Sequence, residues 1–107
     1  MNLTIESLSN DGFHLLCLQG DVDTKTAPAL FEALTQLELK TIVDLRIDMI
    51  SVGFLSSAGL RALVFAKQKM PHESRLILVG ANQDIIDVIT KTGLTQAVML
   101  VTTHDAI

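Results

Sequence analysis

The stretch that most constrains this chain lies at residues 42–69. There the apolar run Ile42-Val43-Asp44-Leu45 leads through Phe54-Leu55-Ser56-Ser57-Ala58-Gly59-Leu60 into Arg61-Ala62-Leu63-Val64-Phe65-Ala66-Lys67. A short β-branched run without clean alternation reads as a strand buried on both faces, and the residues after the serines read as an amphipathic helix. Two hydroxyls are thereby delivered to a tight turn at a helix start. A serine at such a place accepts from backbone N–H groups that lack partners within the helix, and the helix dipole there favours negative charge. The position admits a plain cap or a phosphate.

With 107 residues, the chain is long enough for one core and too short for a second, so a single domain over 1–107 is expected. Half the residues are apolar and Trp and Tyr are absent, which predicts an aliphatic core. A net charge of -4 without a Lys or Arg run argues against nucleic acid, which requires clustered cations. Cys17 is the only cysteine, so no intramolecular disulfide and no zinc cluster can form, and it reads as a small buried strand residue. Met1-Asn2-Leu3-Thr4-Ile5-Glu6 lacks the cationic start of a secretory signal. No apolar run approaches the roughly 20 residues of a membrane span, so the default location is cytoplasmic.

Residues 3–8 and 13–18 flank Asn10-Asp11-Gly12 and predict an N-terminal hairpin. Gly20-Asp21-Val22-Asp23-Thr24 then breaks the pattern, and Thr26-Ala27-Pro28 opens a helix running to about residue 39, with Ala27, Leu30, Leu34 and Leu37 inward. Asp21 and Asp23 could share a hard cation such as magnesium, but with no third acidic residue nearby, loop solvation or capping is the preferred reading and no metal is expected. Asp44 is placed at an exposed strand end or hydrogen-bonded to a neighbouring loop, since unpaired buried charge is expensive. In the next helix Leu63, Val64 and Lys67 share one face while Ala62, Phe65 and Ala66 make a second side apolar, which suggests a partner-binding surface.

Pro71 closes that helix, residues 75–80 read as a buried strand, and 83–92 as a short helix with Ile85, Ile86 and Ile89 inward, stopped by Gly93. Residues 97–101 form a last strand and 102–107 a tail with a possible helical turn. The order predicts an α/β domain: a mixed β-sheet with an N-terminal hairpin and about four helices. His14, His72 and His104 fall in a strand, a turn and the tail, with no Ser/His/Asp spacing, so an enzyme lacks support and no cofactor is implied.

The chain resembles the STAS domain family, and within it the bacterial anti-sigma factor antagonists. The resemblance rests on Gly20-Asp21-Val22-Asp23, Val43-Asp44-Leu45, the segment from Val52-Gly53 through Phe54-Leu55-Ser56-Ser57-Ala58-Gly59-Leu60-Arg61-Ala62-Leu63, and Thr92-Gly93-Leu94. It implies a regulatory protein of a partner-switching pathway. Unphosphorylated, such a protein binds an anti-sigma factor that is a serine kinase of the histidine-kinase-like ATPase type; phosphorylated, it is released, and a serine phosphatase restores it. The register places the acceptor on Ser57, with Ser56 as the alternative, because Ser56 stands where the commoner pattern has Asp and Ala58 where it has a second Ser. The implied partner surface comprises Asp21, Asp23, Ser56, Ser57, Gly59, Leu60, Arg61 and Phe65. The alternative is a constitutive scaffold subunit, as in a lipid-transport complex, without phosphorylation.

Overall fold

A two-residue turn, in which Gly12 takes φ +88°, folds β1 (Thr4–Asn10) back onto β2 (Phe13–Val22) with Asn10 opposite Phe13. Glycine adopts that conformation without steric cost, so the predicted hairpin forms where the sequence marks it. In this computed structural model, which describes residues 3–10 and 12–103, the chain then alternates helix and strand. The elements are α1 (Ala27–Thr35), β3 (Asp44–Leu55), α2 (Ser57–Lys69), β4 (Arg75–Val79), α3 (Gln83–Lys91) and β5 (Met99–Val101), with single 3-10 turns at Leu39–Thr41 and Leu94–Gln96.

The five strands lie in the order β1-β2-β3-β4-β5, antiparallel at the first step and parallel thereafter. Each parallel step crosses over through one helix and moves the same way across the sheet. Right-handed crossovers of that kind bring α1, α2 and α3 to one face. Burial follows: Leu16, Leu18, Leu45, Ile47 and Met49 point into the layer that Leu30, Leu34, Leu63, Ala66, Ile85 and Ile89 supply from the helices. On the other face Leu15, Cys17, Arg46 and Asp48 are only half-buried.

Several elements differ from the sequence reading. Among the described residues, three α-helices and two 3-10 turns stand where about four helices were expected. Helix α1 ends at Thr35 rather than near residue 39, because the chain turns at Gln36 and buries Leu39 from a separate 3-10 turn. The strand read at 42–45 begins at Asp44 and runs twelve residues, to the foot of α2, while Val43 is exposed. That length is possible because β2 also continues, through Gly20 and Asp21 to Val22, its register with β3 shifting at Cys17/Gln19 and Gly20/Val22. The bulges absorb residues that looked like a break. The helical turn expected in the tail falls chiefly on residues 104–107, and with His104 lies outside the described residues.

Asp44 is buried rather than at an exposed strand end. It accepts from Arg46 Nε at 3.3 Å and from Arg75 Nη2, and the Arg46 guanidinium stands 3.8 Å from the centre of the Phe13 ring. Two cations repay the desolvation of one carboxylate, an arrangement that fixes the register of β3 against β4. Cys17 is half-buried because it lies on the face without helices; burial first, then the nearby Asp48 and Glu6 carboxylates, push its thiol pKa up, so it is protonated at neutral pH.

Candidate functional site

The parallel strands all end at the same edge of the sheet, and three helix starts gather there. Helix α2 begins immediately after β3, with Ser56 as its N-cap in an extended conformation. The Ser56 hydroxyl accepts from the Gly59 N–H at 3.1 Å, its N–H donates to the Val22 carbonyl at 2.7 Å, and its carbonyl accepts from the Leu60 N–H at 2.9 Å. The residue is 7% exposed. Ser56 is committed to building the helix start.

Ser57, one residue on, is exposed at the first helical position, and its hydroxyl makes no hydrogen bond among the described residues. The helix turn thus separates two adjacent hydroxyls that composition alone could not distinguish. One faces in and one faces out.

Gly59 and Leu60, expected among the partner contacts, are turned into the core. A Cβ on Gly59 would stand 2.5 Å from Val22 Cγ1 and 2.7 Å from Leu55 Cδ1, so glycine is what lets α2 lie directly on β2 and β3. On the outer side of this helix Arg61 is exposed and Phe65 half-buried. Val64 is half-buried too, and Lys67 donates to the Ser74 carbonyl at 3.2 Å.

Asp23 organises the start of α1. Its carboxylate accepts from the Lys25 and Thr26 N–H groups, each at 2.9 Å, while the Thr26 hydroxyl accepts from the Asp23 N–H at 2.9 Å and donates to the Asp21 carbonyl at 2.7 Å. The Thr26 N–H, foremost, with the Thr26 hydroxyl and Lys25 N–H behind it, holds the Asp23 carboxyl below the usual carboxylate range against an opposing push from desolvation. Asp21 is half-buried, and a Cβ on Gly53 would stand 3.0 Å from its Oδ1. Among the described residues no group of three or more His, Cys, Asp or Glu side chains could hold a metal ion.

Between α1 and α2 the same edge opens into a groove of about 420 Å³ lined by Thr24, Ala27, Pro28, Phe31, Ala58, Arg61 and Ala62. Phe31, 43% exposed, packs its ring 4.6 Å from that of Phe65, and the Lys69 ammonium lies 5.7 Å from the Phe65 ring. The α1 wall of this groove was not foreseen in the sequence. Phe31 carried the signal: it follows Leu30 and sits off the inward stripe, leaving a large apolar side chain on the wet side.

Asn82 was also missed. It caps α3 through its side-chain oxygen, which accepts from the Ile85 N–H at 2.9 Å, and its amide donates to the Gly53 and Val52 carbonyls at 3.2 and 3.4 Å. His14 takes part in none of this; its Nε2 lies 2.8 Å from the Ser7 hydroxyl in the hairpin. His72 sits in the turn after α2. No described helix is long and apolar enough to cross a membrane.

Comparison with known proteins agrees with this geometry. The STAS domain family model matches residues 4–107. The anti-sigma-B factor antagonist of Listeria monocytogenes is 33% identical over 100 residues, covering 92% of this chain and 88% of its own. The crystal structure of an anti-sigma factor antagonist from Mycobacterium paratuberculosis superimposes with a TM-score of 0.87 at 30% identity, covering 98% of this chain and 90% of that one. The Bacillus cell fate determinant SpoIIAA in its phosphorylated form shares the fold, with a TM-score of 0.71 at 15% identity over 98% of this chain and 96% of that one. The chain belongs to the STAS domain family.

Proposed function

We propose that this chain is an anti-sigma factor antagonist, a regulatory protein that acts by binding and is switched at Ser57. Unphosphorylated, it docks its α1–α2 groove on an anti-sigma factor that is also a serine kinase; with phosphate on Ser57 it lets go, and a serine phosphatase returns it to the binding form. The observation that carries this reading is the division between the serines: Ser56 is a buried cap and Ser57 an exposed hydroxyl beside the apolar groove.

The energetics suffice. A phosphoserine carries about -1.5 to -2 charges, and against a partner carboxylate roughly 5 Å away at an effective dielectric of 20 each unit pair costs about 3 kcal/mol. About 2.7 kcal/mol already weakens binding a hundredfold. Phosphate at a helix start is locally favourable, so release does not require unfolding.

The test is the affinity of the purified chain for its anti-sigma factor. Ser57→Ala is expected to bind as the parent does and Ser57→Asp about tenfold or more weakly, while incubation with the kinase and ATP adds one phosphate by intact mass. Equal binding by both variants together with no added phosphate would replace the switch with a constitutive scaffold.

A further inference from the structure

Helix α2 is charged against its own dipole at its start, although not in its last turn, which holds Lys67 and Lys69. Its first turn holds no acidic residue, although a carboxylate there is the usual complement to unpaired N–H groups, and the first charge along it is the cation Arg61 in the second turn. Arg61 is exposed and makes no hydrogen bond or ion pair among the described residues. The other cations of this helix are occupied at its far end, Lys67 on Ser74 and Lys69 over the Phe65 ring. Among the described residues Arg61 is also the only charged one lining the α1–α2 groove.

Position 61 is four residues beyond Ser57, and residues so spaced stand one above the other on the same helix face, with Cβ atoms about 5–6 Å apart. An anion at the earlier position and a cation at the later is the favourable order. A guanidinium matches the oxygens of a phosphate through two parallel N–H donors.

We propose that Arg61 is the counter-ion of phosphorylated Ser57, closing over the phosphate along the face of α2. The inference rests on the phosphorylation proposed above and adds the residue that receives the modification. Its consequence for a partner is double. The phosphate brings negative charge to the rim of the groove, and it also withdraws the one cation that lines it.

The experiment needs no kinase. Phosphoserine is installed at position 57 by codon reassignment, and the second pKa of the phosphate is read by phosphorus NMR in the otherwise unchanged chain and in Arg61→Gln and Arg61→Lys. A neighbouring cation stabilises the dianion and lowers that pKa. The helix end and the Asp21, Asp23 and Lys25 side chains of the adjoining loop are common to all three samples, so the difference between them isolates position 61. Arg61→Gln is expected to raise the pKa by about 0.3–0.7 of a pH unit at low salt, and Arg61→Lys to give an intermediate value. The difference should shrink at high salt. The same second pKa in the parent and Arg61→Gln would overturn the inference and leave the proposed switch standing; failure of the kinase to modify Ser57 would overturn the switch without touching this measurement.

Discussion

Two helix starts, those of α2 and α3, face the same edge of the sheet and are capped the same way, yet only one is finished electrostatically. In each, a side chain at the N-cap accepts from the third helical N–H, Ser56 from Gly59 at 3.1 Å and Asn82 from Ile85 at 2.9 Å. At α3 the first turn adds Asp84, and the cap ties itself to β3 through the Val52 and Gly53 carbonyls. At α2 the first turn supplies a neutral, exposed hydroxyl and no acid. Capping therefore anchors both helices, and the missing charge is what distinguishes the one proposed to carry the phosphate.

The comparison breaks most readily at the third helical position, which is Ile85 in α3 and Gly59 in α2. Gly59→Ala improves helix propensity but drives a methyl into Val22 and Leu55, and the net effect is expected to be a loss of about 1–3 kcal/mol in urea unfolding. A variant as stable as the parent would mean that α2 does not need to lie so close to the sheet.

A smaller effect sharpens the equivalence of the caps. Ser56→Ala should cost about 1 kcal/mol and Asn82→Ala somewhat more, because the latter also frees two β3 carbonyls. Neither should prevent folding. An unchanged midpoint for Ser56→Ala would show that the inward serine is not what holds α2.

The start of α1 provides the third case, since its organiser titrates. The folded pKa of Asp23 lies below its ordinary value of 3.8, so its contribution is complete above the unfolded pKa and is lost as pH falls through the folded one. The acid limb of stability in Asp23→Asn is expected to be shallower than in the parent below pH 3.8, a difference small beside the others. Parallel limbs would remove Asp23 from the account of acid sensitivity.

Much of this architecture was legible in order and type. The turn at Asn10-Asp11-Gly12, the inward stripe of Ala27, Leu30 and Leu34, and the stop at Gly93, which takes φ +77°, are local signals with local causes. What the sequence hid was decided at a distance. The residues Gly20 and Asp21 look like a loop until a bulged pairing with β3, with Gly20 at φ +113°, takes them into β2. Asp44 reads as lying at an exposed strand end or bonded to a neighbouring loop, because its partner Arg75 is 31 residues away in the chain. Register could order Ser56 and Ser57 as candidates, but which one faces water is fixed by the Val22 carbonyl and Gly59 N–H that claim Ser56. Phe31 became part of the groove only when α1 was laid beside α2.

The missing Cβ of Gly59 has a consequence for how information leaves the molecule. With α2 seated directly on two strands, a phosphate on Ser57, as proposed, would alter the charge of the surface while the helix keeps its seat against Val22 and Leu55. Under that proposal, discrimination would fall to the docking protein, which would meet an altered face on an unaltered body.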